Sequence, residues 1–379
     1  MSERPTPAQP AGQQASPAGD APASTGANGL IPSSPQDMTP RSVEDSRDYV
    51  AQIIGDEAQA GTRVQAGPML KLMYDTAVAV AFRHCGQRPV LRRLDRIDLT
   101  RTISHLDLVR IEGRMVEATR STMVVEVRAS ARPPFEREFT PTHVGYLTMA
   151  AVGPDGALLR VPPLRSDTPQ GREVQALAKH RRAQIEERHN AVAWIDSEAS
   201  FRLADVVEPL NAVRYDALAP EDTIVRVKGQ LHSQSPYMDG RVLAGDLLEW
   251  LDRVANYTAR HFTRNPHTVT LSVNDMVFRQ PLHTTDRIEL ISRVVYVRQH
   301  TLGVAIDIIV HGLDGSAYPL ETVEFFLLNY HRNGELKKVT TELELREEDQ
   351  ESLRCYLRAR HRYAFWRTHP ESHLTQVPH

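Results

Sequence analysis

The chain has 379 residues, 41% of them apolar and 25% charged, with 45 basic against 48 acidic side chains. That is the make-up of a water-soluble globular protein of two or three domains. A pI near 6.6 gives no electrostatic footprint for nucleic acid or an anionic membrane, and no apolar run reaches the ~18 residues of a bilayer span. The two cysteines, Cys85 and Cys355, lie far apart with no zinc spacing around them, so free thiols in a reducing compartment are expected.

Residues 1–42 are Pro, Ala, Gly, Ser and Gln with almost no large apolar side chains. Such a segment cannot offset the entropy of ordering and reads as a disordered tail. It has neither the apolar core of a secretory signal nor the Arg-rich amphipathic character of a transit peptide, so the expected location is cytoplasmic. A first folded unit spans 43–164. It opens with a short amphipathic stretch and the loop DEAQAGTRVQAG at 56–67. The helix that follows at 68–84 is apolar nearly all round, as a helix buried on most sides should be. Arg83 and His84 suit the negative pole of its dipole, and Gly86 is a natural stop. Strands are expected at 94–99, 106–117, 122–131 and 142–152, closed by the turn VGPDG at 152–156.

Residues 165–207 form a charged connector, helical over 170–189 with several i,i+4 pairings. The second unit, 208–335, repeats the order of the first. A strand at 222–231 and a loop at 232–243 precede a helix at 244–262; strands follow at 268–279, 286–297, 301–311 and 318–330. Residues 336–379 are a C-terminal extension with a helix over 340–366, acids early and arginines late. The two helices, AGPMLKLMYDTAVAVAFRHC at 66–85 and AGDLLEWLDRVANYTARHF at 244–262, are copies offset by 178 positions (249 − 71). A unit this long, present twice, is a duplicated domain rather than a solenoid. One long helix with an antiparallel run of strands joined by short turns is α+β by layer logic.

The ordered set LDRID, DLV, VEATRSTM, YLTMAAVGPDG and VPPL, with LAGDLLEWLDRVANYTAR and VVYVRQHTL in the second copy, resembles the tandem hotdog acyl-CoA thioesterases (acyl-CoA hydrolases). The resemblance covers roughly 45–335. It implies two hotdog domains, each a curled antiparallel sheet wrapping a helix, and hydrolysis of fatty acyl-CoA to fatty acid and CoA. It implies neither cofactor nor metal, CoA being part of the substrate. Such paired domains often assemble further, so a dimer or trimer of chains is expected.

The family uses an amide side chain in the loop before one helix and an Asp within the other, the loop position lying fifteen residues ahead of its helix position. In the first copy these fall on Gln59 and Tyr74, in the second on Tyr237 and Asp252. The resemblance therefore implies one composite site, Gln59 with Asp252, and a lost one, Tyr237 with Tyr74. Gln stands where the family has Asn, Ala66-Gly67 and Ala244-Gly245 replace paired glycines, and a one-residue gap in GTRVQAG would move the loop position to Ala58.

Asp252 sits among Leu247, Leu248, Trp250, Leu251 and Val254, a surround that would raise its pKa and suit it to act as base or nucleophile. The alternative is an exposed helix Asp. Gln59 would orient the water or bond the carbonyl, and the Gly67 N–H at a helix start would hold the thioester oxygen. Asp75 is read as structural and Asp239 as a turn residue; His84 and His261 are read as helix-end residues. For the CoA phosphates the candidates are Arg120, Ser121 and Thr122 in one strand turn, His300 and Thr301 in its copy, and Arg264 after the second helix. Each is otherwise an ordinary surface residue. Two other readings stay open: a degenerate hotdog that binds acyl thioesters without cleaving them, and a hydratase-type hotdog, for which no suitably placed His is seen.

Overall fold

The computed structural model describes residues 37–55, 59–60, 63–153, 155–207, 216–231 and 240–368. In chain order the elements are β1 (Arg47–Ile53), β2 (Gln59–Ala60), β3 (Arg63–Val64), α1 (Ala66–Cys85), β4 (Arg88–Leu99), β5 (Leu108–Ala118), β6 (Thr122–Arg132), β7 (Thr140–Val152), α2 (Pro169–Ser197), α3 (Leu203–Val206) and β8 (Asp216–Leu218). After a single 3-10 turn at Pro220–Thr223 come β9 (Val225–Gln230), α4 (Ala244–Thr263), β10 (Thr268–Val273), β11 (Met276–Val277), β12 (Arg287–Arg298), β13 (Thr301–His311), β14 (Ala317–Asn329), β15 (Thr341–Leu343) and α5 (Gln350–Thr368).

The main sheet runs β1-β5-β6-β7-β4-β10-β14-β13-β12-β9, with β11 beside β4. The order reads the same from both ends: β1 matches β9, β5 matches β12, and so on to the central pair β4 and β10. The halves meet there through two register pairs from β10, Ser272↔Asp98 and Val273↔Ile97, and two from β11, Met276↔Leu94 and Val277↔Arg93. The remainder of the seam is α1 against α4, both on one face of the sheet, and both are buried in the common apolar core. Val109, Ile111, Met115, Val125 and Val127 point to α1, while Glu112 and Arg114 on the same strands are part-buried and Arg128 is exposed, the alternation a one-sided strand must show.

The opposite face is covered by two further helices, α2 and α5. α2 starts on Thr168, whose hydroxyl accepts from the Gly171 N–H at 2.9 Å. It packs Val174 and Ala178 on Val116, Val124, Val144 and Tyr146 of the first half. α5 lays Tyr356 and Tyr363 on Tyr296 of the second half, with ring centroids 5.2 and 5.5 Å apart.

Several expectations shift at their edges. The amphipathic stretch before the first helix is an edge strand, β1, because its Arg47–Ile53 backbone pairs along the whole of β5. The first expected strand begins six residues earlier, at Arg88, paired with Val152. The connector helix runs on to Ser197. The C-terminal helix starts only at Gln350, since Thr341–Leu343 pairs parallel with β8. Structure is already present at Arg41, which bridges to Leu164.

Candidate active site

α1 and α4 run so close because each has a glycine at its second position. A Cβ on Gly67 would lie 3.0 Å from the Glu249 carbonyl oxygen, and one on Gly245 would lie 2.8 Å from Cδ1 of Tyr74. Gln65, the residue before α1, offers no side-chain cap. The free N–H groups of that helix start therefore need another acceptor, and Gly67 finds it across the seam: its N–H donates to Oδ2 of Asp252 at 2.8 Å. A carboxylate from the second half thus terminates a helix of the first.

Asp252 is fully buried. Its Oδ1 accepts from the Thr270 hydroxyl and from the Asn256 side-chain amide at 3.2 Å. The Thr268 hydroxyl donates to Asn256 Oδ1 at 3.0 Å and accepts from Arg260 Nε at 3.2 Å. Asp252, Asn256 and Arg260 are spaced by four along one face of α4, and Thr268 and Thr270 answer them from β10. Burial pushes the Asp252 carboxyl up to about 6; Glu249 adds to the push, while the Thr270 hydroxyl, the Gly67 N–H and the Arg260 charge oppose it. The group is thereby poised between acid and base near neutrality.

The twin position is built differently. Tyr74 replaces the carboxylate, and its ring lies against Gly245, at the start of α4. Lys71 Nζ bonds Asp246 Oδ1 at 2.6 Å across the helices. Asp75, read as structural, stands beside this pair; burial pushes it up to about 6, with Lys71 opposing and Asp246 adding. The 178-residue offset (252 − 74) pairs Asn256 with Val78 and Arg260 with Phe82. Strand register pairs Thr268 with Pro89 and Thr270 with Leu91, since Thr268↔Asn329 and Thr270↔Leu327 match Pro89↔Ala151 and Leu91↔Met149. The hydrogen-bonded chain around Asp252 thus has no counterpart in the first half. Sequence reasoning missed Asn256, Thr268 and Thr270, whose joint contrast with the first copy emerges only with the strand register.

Of the expected site residues, Asp252 and Gly67 are brought together. Gly67, however, was expected to hold a substrate oxygen, and its N–H is instead engaged by the carboxylate, the stronger acceptor. The Gln59 backbone pairs in the β2–β3 hairpin with Val64, three residues ahead of Gly67 along the chain. Its side chain, with Ala58, Tyr237 and Asp239, lies outside the described residues.

The CoA candidates divide. Arg120, Ser121 and Thr122 form the β5–β6 turn, where Thr122 and Thr119 hydroxyls bond at 2.7 Å. His300 and Thr301 form the matching β12–β13 turn. There the His300 carbonyl accepts from Asn329, next to Thr268 in register, and Thr301 is a buried strand residue. Arg264 ends α4 in the left-handed region at φ 49° and pairs with Asp216 at 3.1 Å on the surface. His84 is not a mere helix end: it is buried, with Nδ1 2.7 Å from Ser46 Oγ and Nε2 2.9 Å from the Pro162 carbonyl, so it bolts three segments together. The open clefts of about 640 and 600 Å³ flank α2 on the other face of the sheet, far from this constellation. Among the described residues no cluster of three or more His, Cys, Asp or Glu could hold a metal, and no helix is long and apolar enough to cross a membrane.

A search of curated protein sequences found no match. Solved structures similar to this chain include an acyl-CoA hydrolase from Bacillus cereus, 20% identical, covering 43% of this chain and 100% of its own, at a TM-score of 0.38. An acyl-CoA hydrolase variant from Staphylococcus aureus in complex with coenzyme A is 18% identical, covering 43% and 100%, at 0.37. An acyl-CoA hydrolase from Agrobacterium tumefaciens is 17% identical, covering 77% and 96%, at 0.28. The family model described as Thioesterase superfamily matches twice, at residues 66–134 and 239–312. Each match takes in one central helix and the strands after it, so both halves of the chain are similar to the thioesterase superfamily, in line with two hotdog domains in tandem.

Proposed function

We propose that the chain hydrolyses acyl-CoA thioesters to the carboxylic acid and CoA at one composite site per chain, centred on Asp252. The observation that carries this reading is a fully buried carboxylate, pushed up to about 6, that bridges the two halves through the Gly67 N–H. Ionised Asp252 takes a proton from water as the water oxygen attacks the thioester carbon. The C–S bond then breaks, and the CoA thiolate leaves with that proton. Thr270 and Asn256 hold the carboxylate in place, and Gln59 is assigned to orient the water or the carbonyl. The twin site, filled by Tyr74, is assigned no turnover. The scheme draws on the chain's own groups alone, and further assembly of chains, a dimer or trimer, leaves it unchanged.

A second reading is an acyl-thioester binder without turnover. What favours it is the Gly67 N–H, already held by Asp252 rather than open to a substrate oxygen. Thiol release from a C4 to C18 acyl-CoA panel decides between them. The expected result is turnover that falls at least ~100-fold in Asp252→Asn. Tight binding of the panel with no thiol released would leave the binder.

A further inference from the structure

Two turns along α4 from Asp252, about 12 Å by helix rise, the chain of hydrogen bonds ends on Arg260. Its Nε is used by Thr268, while its Nη2 is buried and has no hydrogen-bond partner among the described residues. Tyr330 stands at the end of β14, one residue past Asn329, which pairs with Thr268. Tyr330 is 3% exposed, and its Oη likewise has no partner among the described residues. The Arg63 guanidinium, reaching from the first half, lies 4.3 Å over the Tyr330 ring and donates to the Gly334 carbonyl at 3.2 Å. No carboxylate forms an ion pair with Arg63 or Arg260 among the described residues. The charges of both nonetheless reach the Tyr330 phenol: burial pushes it up, and the two arginines pull against that push. Buried donors without an acceptor are costly and call for an explanation.

The first half shows that the fold does not demand this arrangement. Arg63 has a twin in Arg241, pressed against Gly156 as Arg63 is against Gly334, so the clamp itself is common to both copies. The residues under the clamp are not. Tyr330, bridged to Leu336, corresponds to Val152, bridged to Leu158, and Arg260 corresponds to Phe82. Among the described residues, the first-half counterparts Phe82 and Val152 place no polar donor under their clamp.

We propose that Arg260 and Tyr330, with Arg63 behind the ring, form a subsite for an anionic oxygen group of the thioester ligand, a phosphate or a carboxylate, held about two helical turns from Asp252. This rests on the reading of Asp252 as the reaction centre, and binding measurements separate the two. The ligands are CoA, phosphate-free pantetheine, and acyl-CoA pairs of equal length with and without a terminal carboxylate. Titration calorimetry follows each on the full chain, as wild type, Arg260→Gln, Arg260→Lys and Tyr330→Phe.

Arg260→Gln and Tyr330→Phe are expected to weaken the anionic ligand at least tenfold, with pantetheine affinity unchanged and Arg260→Lys intermediate. Loss with CoA itself assigns the subsite to a CoA phosphate; loss confined to the carboxylate-tipped acyl chain assigns it to the acyl group. An equal loss for pantetheine and CoA overturns the proposal, as does no loss for any ligand. So does an effect limited to the acid limb of the pH–rate profile, which would make Arg260 a tuner of Asp252. Tyr330→Phe keeps the ring under Arg63, so the result stands even where Arg260→Gln unfolds. If acyl-CoA were bound and not cleaved, the affinities would still decide the subsite while the function failed.

Discussion

Asp252 is held by three donors in an apolar seam, and desolvation outweighs all of them. Because its folded pKa lies above the ~3.9 of an unfolded chain, the native state binds this proton more tightly. Its contribution favours folding at low pH and is lost as pH rises through about 6. Between pH 4 and 7.5 the stability of Asp252→Asn should therefore gain about 2 kcal/mol on the wild type, read by urea unfolding at both pH values. A constant gap would mean that the carboxyl titrates normally. Activity should move the opposite way, with kcat/KM climbing as pH passes about 6. Thr270→Val removes a donor that favours the charged form, so the acid limb should shift upward, measurable in the same profile. The carboxylate and Gly67 could be picked out of the sequence by resemblance. Thr270 and Asn256 could not, because a hydroxyl or amide on an amphipathic segment looks like surface until the sheet register turns it inward.

At the scale of elements, the seam between α1 and α4 depends on two glycines that differ in what they touch. A methyl on Gly67 meets the Glu249 backbone, which cannot swing aside; one on Gly245 meets the Tyr74 ring and the Lys71 stem. Both substitutions to Ala should cost about 1–3 kcal/mol in thermal or urea unfolding. Only Gly67→Ala should also cut turnover well beyond its loss of stability, since it moves the N–H that Asp252 accepts from. Equal loss of activity in both variants would argue against a single working site. The central helices and most strands were legible from apolar periodicity and from the repeat. β1 was not, since a strand on a sheet edge with exposed Tyr49 and Ile53 carries a weak alternation. The parallel pairing of β15 with β8 joins residues far apart in sequence, and no local pattern announces it.

Across the whole molecule, α2 straddles the junction of the halves on the face opposite the central helices. Its Arg181 pairs with Asp95 of the first half, and its Arg188 with Asp275 of the second at 2.5 Å. Removing Asp275 leaves Arg188 buried without its hydrogen-bonded carboxylate, so Asp275→Ala should lower unfolding stability by about 3 kcal/mol; a change under half that would mean that water or the nearby Asp95 already compensates the charge. This layer was visible in the sequence only as a charged connector, because its arginines look solvated until the sheet beneath supplies their acids. The bridge from Gly67 to Asp252 has one more outcome. Both ends belong to the same polypeptide, so the tether holds the partners at an effective concentration on the order of millimolar. Specific activity should then stay flat on dilution into the nanomolar range, where a hotdog assembled from two separate chains would come apart by mass action.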